Sequence, residues 1–97
     1  MKRIGMIGIF VKDREEAAQS VNRYLSDYNS IIVARVGLPY RERGLSVISV
    51  IVDGTNDEIG ALAGKLGSVA GVTVRSMLAP QEKGDPNIRK ERNHENE

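Results

Sequence analysis

The sequence predicts an α+β domain in which strands and helices follow the order β-α-β-β-α-β. Four short apolar segments have the composition of strands, and two longer segments repeat apolar residues at helical spacing. The most apolar of them, Leu45 to Val52, is interrupted only by Ser46 and Ser49 and is rich in Val and Ile. That composition is typical of a central strand with two buried faces.

The first strand is predicted over Ile4–Val11, which is apolar on both faces. Gly5 and Gly8 weaken a strand, so they predict a bulge or a close approach of another backbone. Asp13 followed by Glu16 resembles a capping box and predicts the start of the first helix. This helix should end near Tyr28-Asn29, with an apolar stripe of Ala17, Val21, Tyr24, Leu25 and Tyr28.

Strands two and three are predicted to form a hairpin. The second strand covers Ser30 to Leu38, and Pro39 should stop its pairing because proline has no N–H group. Gly44 allows the chain to turn back, and Asp53-Gly54 closes the third strand.

The second helix begins at the sequence Thr55-Asn-Asp-Glu58, which has the form of a capping box. Gly67 is a suitable C-terminal stop. The fourth strand is predicted over Val72–Leu78. The apolar stripe of the second helix consists of Ile59, Leu62, Ala63 and Leu66.

This order of elements is the ferredoxin-like arrangement, an antiparallel four-stranded sheet with both helices on one face. Residues 1–79 are predicted to form this domain. Residues 80–97 carry Ile88 as their one large aliphatic side chain and many charges. They cannot bury enough apolar surface to offset the entropy of ordering, so a disordered tail is predicted.

The predicted sheet has a second face that the helices leave uncovered. Strands one to three are apolar on both sides, so this face would expose apolar surface on the order of 500 Å² or more, near the upper limit for a monomer. We therefore expect a homo-oligomer, a dimer or tetramer, that associates through the helix-free face of the sheet. Simple alternation places Arg35 and Arg75 on that face, where an interface would have to supply partners for them.

Gly60 and Gly64 follow the edge of the apolar stripe of the second helix. Glycine costs about 1 kcal/mol relative to alanine inside a helix, so such positions suggest that something packs closely against them. The sheet, a second subunit and a ligand are all possible neighbours, and we include both glycines among the candidate interface residues.

Composition argues against several functional classes. The chain has 14 Lys and Arg against 13 Asp and Glu, which gives no basic excess for nucleic acid. It has no cysteine, and therefore no disulfide or thiolate metal site, and its single histidine, His94, lies in the predicted tail. We expect no catalytic residues, no metal, no cofactor, no direct contact with nucleic acid or membrane, and a cytoplasmic location.

The hairpin turn holds one group of candidate ligand-binding residues. Arg41 and Arg43 flank Glu42 next to Tyr40. The cluster is either a solvated turn, a small anion site, or a charged contact with a neighbouring subunit.

The first strand-to-helix turn, Val11-Lys-Asp-Arg14, resembles the ligand loop of ACT domains, which are ferredoxin-like regulatory modules that bind amino acids at dimer interfaces. The resemblance implies ligand-binding roles for Asp13 and Arg14. Where that family favours Pro-Gly, this chain has Glu15-Glu16.

A longer resemblance covers Ile4 to about Leu78. It rests on Gly37-Leu-Pro-Tyr40, Arg43-Gly-Leu-Ser-Val-Ile-Ser49, Asp53-Gly-Thr55, and the run from Glu58 to Gly67. These segments resemble the small ACT-like family of iron-only hydrogenase system regulators, whose name reflects association with [FeFe]-hydrogenase maturation genes. The fold is also similar to the nickel-binding C-terminal domain of the NikR repressor, but the histidines and cysteine of that metal site are absent.

The resemblance implies a regulatory ACT-like module that senses a small molecule or binds a protein. A structural or adaptor oligomer without any ligand is the alternative.

Overall fold

The computed structural model describes residues 1–12 and 14–80 of the chain. The predicted disordered tail therefore lies, apart from Pro80, outside the described residues. Strands and helices follow the predicted order, and short 3-10 turns at Asn29–Ile31 and Arg41–Arg43 flank the second strand. The elements are β1 (Lys2–Lys12), α1 (Glu15–Asp27), β2 (Ile32–Tyr40), β3 (Leu45–Thr55), α2 (Asn56–Gly67) and β4 (Val72–Leu78).

The sheet has the strand order β2-β3-β1-β4, and every neighbouring pair is antiparallel. β1 and β3 lie in the centre and pair along their whole lengths, from Lys2 with Thr55 to Lys12 with Leu45. This arrangement confirms the predicted α+β, ferredoxin-like class.

The core lies between one face of the sheet and the two helices. Alternate residues of β1 and β3 point towards the helices, and both helices contribute their predicted apolar stripes. No polar or charged residue among those described is buried. The most deeply buried side chains are Ile7, Ile9, Val21, Leu25, Val50, Val52, Leu62 and Leu66.

Gly5 confirms the predicted close approach of a neighbouring chain segment. A Cβ atom there would lie 3.1 Å from both Leu78 Cδ2 and the Met77 carbonyl oxygen. Gly8 differs, because its nearest neighbour would be the Arg75 carbonyl oxygen at 3.9 Å. The pairing of β1 runs through both glycines without a register shift, so neither marks a bulge.

β2 departs from prediction at both ends. It begins at Ile32 because the preceding residues form a 3-10 turn whose Ile31 is buried. Its pairing does not stop at Pro39, which pairs with Ser46 and is followed by Tyr40 opposite Leu45. Because β2 is an edge strand, the missing N–H of proline is tolerated.

The helix-free face is the face of the sheet opposite the two helices. Residues of β1 and β3 alternate between the two faces, and the cross-strand partners of Met6 are Ile51 and Met77. Eight large apolar side chains on this face are substantially exposed: Ile4, Met6, Phe10, Val36, Leu38, Tyr40, Ile51 and Met77.

The capping box of α2 forms as predicted. The Thr55 N–H donates to Glu58 Oε1 at 2.8 Å, and the Glu58 N–H donates to Thr55 Oγ1 at 3.1 Å. The hydrogen bonds from the Thr55 backbone and side chain favour the carboxylate, so they lower the pKa of Glu58 from its usual value.

We expect this lowered pKa to make part of the stability pH-dependent. A carboxylate with a depressed folded-state pKa stabilises the fold above its unfolded pKa, and the contribution is lost as pH falls through the folded value. Glu58→Gln keeps an acceptor oxygen but removes the charge. Urea denaturation should therefore show the variant less stable than wild type at pH 7, with the difference shrinking at pH 3. An equal difference at both pH values would contradict a role for the charge.

Candidate functional site

The most suitable ligand site is a groove of about 280 Å³ between α1 and the hairpin strands β2 and β3. Its floor is apolar and includes Val11, Val21 and Ile48. Polar groups border it on two sides, from α1 and from β2. No acidic residue is present among the described residues that line the groove.

Arg35 reaches this groove from β2. Its Nη2 donates to Asn22 Oδ1 on α1 at 2.8 Å, which ties the helix to the edge strand. The prediction that Arg35 lies on the helix-free face is therefore wrong. The register shifts between Ile32 and Ala34, and this bulge reverses the faces of all following residues of β2.

Arg14 borders the same groove from the N-terminal end of α1. It occupies the N-cap position with extended backbone, and its own side chain makes no capping hydrogen bond. Asp13, the predicted cap, lies outside the described residues. The N–H groups of the first turn carry the positive end of the helix dipole, and the carboxylates of Glu15 and Glu16 lie in the same turn.

Lys12 also borders the groove, but its side chain extends elsewhere. Its Cβ, Cγ and Cδ atoms lie along Gly71, within 3.5 to 3.9 Å of where a Cβ would stand. Lys12 is paired with Leu45, on the helix-free side of the sheet. Arg14 and Arg35 are therefore the two guanidinium groups that the fold brings to one groove.

The predicted hairpin residues are not part of this groove. Tyr40 ends β2 opposite Leu45 and is 41% exposed. Arg41 and Arg43 belong to the exposed 3-10 turn that follows, which Gly44 closes with φ of 65°. The sequence-predicted ligand set thus divides between two places, and a role for the hairpin stays a prediction.

Sequence reasoning missed the groove residues Asn22 and Ser46. Asn22 lies outside the apolar stripe predicted for the first helix. Its spacing offered a signal, because Arg14, Ala18 and Asn22 recur every four residues and share one face of the helix.

Arg75 lies on the helix-free face, as alternation predicts, opposite Gly8. Its Nη1 donates to the Val74 carbonyl oxygen at 2.8 Å, so the guanidinium folds back along the edge strand.

Gly60 and Gly64 are exposed on α2, and a Cβ at either position would meet nothing within 4 Å among the described residues. The sheet therefore does not press on this stripe. A subunit contact there stays a prediction.

We expect Gly60→Ala and Gly64→Ala each to raise the free energy of unfolding by about 1 kcal/mol, because alanine fits an exposed helix interior without strain. Urea denaturation at low protein concentration measures this effect. Light scattering on the same variants tests the predicted interface, since added methyl groups would weaken a close subunit contact. If either variant has a lower free energy of unfolding than wild type, another group occupies the space beside these glycines in solution.

No group of three or more His, Cys, Asp or Glu residues is arranged to hold a metal ion among residues 1–12 and 14–80. In that same part of the chain, neither helix has the length and hydropathy needed to cross a membrane.

Comparison with known proteins identifies similar sequences and folds. Residues 3–76 match the family model TM1266-like, described as "Iron-only hydrogenase system regulator, putative". The solved structure of the uncharacterized protein TM1266 from Thermotoga maritima is 41% identical, with a TM-score of 0.80. The match covers 80% of this chain and 98% of that one. Comparison with curated proteins gave no match.

More distant structures share the fold alone. The ACT domain from the GTP pyrophosphokinase of Chlorobium tepidum is 22% identical, with a TM-score of 0.68 over 79% of this chain and 100% of that domain. The C-terminal domain of the MgtC protein from Mycobacterium tuberculosis is 12% identical, with a TM-score of 0.62 over 86% of this chain and 94% of that one.

Proposed function

Because the chain belongs to the TM1266-like family of hydrogenase system regulators, we propose that it is a regulatory module whose groove binds a small anionic effector. The effector would carry a carboxylate or phosphate group. The observation that supports this proposal is the convergence of Arg14 and Arg35 on one groove whose described lining includes no acid.

The chemistry of the groove suits a small anion. A guanidinium group can donate two parallel hydrogen bonds to a carboxylate or phosphate, and such charge-assisted bonds are stronger than neutral ones. Only one bond from Arg35 goes to Asn22, so its other N–H groups remain able to donate to a ligand. The apolar floor would contact the uncharged part of the effector, and a volume of about 280 Å³ suits a molecule the size of an amino acid.

Regulation would follow from the position of the two arginines. Arg14 belongs to the start of α1 and Arg35 to the edge strand, so one anion bound to both would hold the helix against β2. A ligand shifts a conformational equilibrium only when it binds one state better than the other. A state in which α1 lies closer to β2 is the one that the effector would favour. The system under control would be the [FeFe]-hydrogenase system that the family description names.

An adaptor without any ligand is the competing function, and the apolar helix-free face favours it. Such a protein would act only by binding other protein surfaces, and the groove would be an unused feature of the fold. We do not propose catalysis, since the family description is that of a regulator.

Ligand screening by thermal shift separates the two functions, because a compound that binds the folded state raises the melting temperature. The panel includes amino acids, dicarboxylates, inorganic phosphate and nucleotides. We expect at least one anion to raise the melting temperature of the wild-type chain. If no member of the panel does, the adaptor function is favoured and the effector groove is refuted.

Arginine variants then locate the site by titration calorimetry. Arg35→Ala and Arg14→Ala should each weaken binding of the identified anion by about 10- to 100-fold, the loss expected for a charge-assisted hydrogen bond. Arg35→Lys should recover only part of the affinity, since lysine lacks the two-pronged donor geometry. Arg23→Ala is the matched control. Arg23 lies on the same helix with its guanidinium 5.6 Å from the Tyr24 ring centroid, away from the groove. Equal weakening by all three alanine variants would indicate a general charge effect.

A further inference from the structure

The helix-free face exposes a continuous apolar surface that the single chain leaves uncovered. Its eight large apolar side chains retain between 38% and 67% of their surface, with Ile51 the least exposed and Val36 the most. The strand register places these side chains next to one another across the sheet. One cross-strand row contains Met77, Met6 and Ile51, and another contains Phe10, Val47 and Leu38.

The size of this surface matches one side of a stable protein interface. With roughly 100 Å² exposed on each of the eight side chains, the patch measures about 800 Å², above the largest patch on a typical monomer and equal to one partner's share of a standard interface. The face therefore has enough apolar area for specific association.

The middle of the face carries small residues between bulky ones. Along β1 the outward side chains alternate from large to small to large at Met6, Gly8 and Phe10. Gly8 lies opposite Ser49, so a shallow hollow two strands wide lies in the middle of the face, bounded by Arg75 on β4 and Val36 on β2. Stacked sheets lie about 10 Å apart with their side chains interdigitated, so a hollow of this kind accepts a bulky side chain from the opposite sheet. A second copy supplies both the hollow and the bulky residue.

Charged groups of the face lie at its periphery. Lys12 and Asp53 are at opposite ends of the central strands, and Arg75 is on the edge strand with its guanidinium directed to the Val74 carbonyl. Stable interfaces have this organisation, an apolar centre with a polar rim. Charge is therefore confined to the margins of the area that a partner would bury, and Arg75, the β4 neighbour of Gly8, borders the hollow.

We propose that the helix-free face binds the same face of a second copy of this chain. The pair forms a symmetric dimer in which a bulky β1 side chain of each copy enters the hollow at Gly8 and Ser49 of the other. Symmetric association uses one patch on both subunits, so equal apolar areas meet. Residues 81–97 are an unsuitable alternative cover, because their sequence holds Ile88 as its one large aliphatic side chain among many charges.

The mass of the purified full chain gives the first test. Light scattering and sedimentation at micromolar concentration should give a dimer, or a larger assembly built from this dimer. A monomer at up to about 100 µM overturns the proposal, given that interfaces of this size bind at micromolar or better.

Variants locate the interface on the face. Gly8→Val fills the hollow, and the monomer accepts a Cβ atom there, because φ at Gly8 is not positive and the atom nearest to the Cβ position is 3.9 Å away. It should raise the dimer dissociation constant about 10-fold or more, as overpacking does. Phe10→Glu places a charge in the apolar centre and should raise the constant at least about 100-fold. Circular dichroism confirms that each variant is folded.

Gly37→Val is the matched control for Gly8→Val. It is the same substitution in the same sheet, but Gly37 pairs with the buried Ile48 and so belongs to the helix side. Nothing lies within 4 Å of its Cβ position. The control should keep the dimer mass. An oligomer that resists both Gly8→Val and Phe10→Glu, or one that Gly37→Val disrupts equally, overturns the proposed interface.

Labelling of a single introduced cysteine tests whether a second copy covers the face, without any measurement of the mass of the assembly. The chain has no native cysteine, so Ser49→Cys introduces a unique thiol in the hollow. Maleimide labelling should be slow in the dimer and at least about 10-fold faster when Phe10→Glu is added, since reaction requires an accessible thiolate. Equal labelling rates in the two backgrounds contradict burial of Ser49 between two copies.

The groove and this face lie on opposite sides of the sheet, so failure of one proposal leaves the other intact.

Discussion

The bulge between Ile32 and Ala34 is the constraint on which both surfaces of the molecule depend. Side chains alternate along a strand, so one extra residue moves every later side chain to the other face. Without the bulge, Arg35 would face away from the helices and Val36, Leu38 and Tyr40 would face towards them. With it, the guanidinium reaches Asn22 and the apolar residues extend the helix-free face. One local irregularity thus produces a polar groove and an apolar sheet.

The start of β2 explains why the bulge occurs there. Ile31 is buried in the 3-10 turn, and its side chain packs at Gly54, where a Cβ would lie 3.2 Å from Ile31 Cγ2. Ile32 then pairs with Val52, which fixes the beginning of the strand. The other end is fixed by the left-handed Gly44 of the hairpin turn. The segment between two fixed ends holds one more residue than its partner, and the bulge accommodates it.

Most of the fold could be predicted because its signals are local. The capping box of Thr55 and Glu58 and the helical stripes depend on residues a few positions apart. The bulge has no such signal, because the run from Ile31 to Leu38 is apolar at both odd and even positions and fits either alternation. Arg35 was therefore assigned to the wrong face, and the groove that it forms with Arg14 could not be predicted. The pairing of β2 through Pro39 could not be predicted either, because a strand is known to be an edge strand only once the order of the whole sheet is known.

β2 places the groove and the helix-free face back to back, one strand apart. Arg35 and Gly37 face the groove, while Val36 between them faces the opposite side. A change in the twist of β2 on one side must therefore move side chains on the other. Coupling between binding free energies is reciprocal, so an effector that tightened the proposed dimer would itself bind that dimer more tightly than the monomer. An edge strand suits this role, because it is hydrogen-bonded on one side only and deforms more easily than β1 or β3.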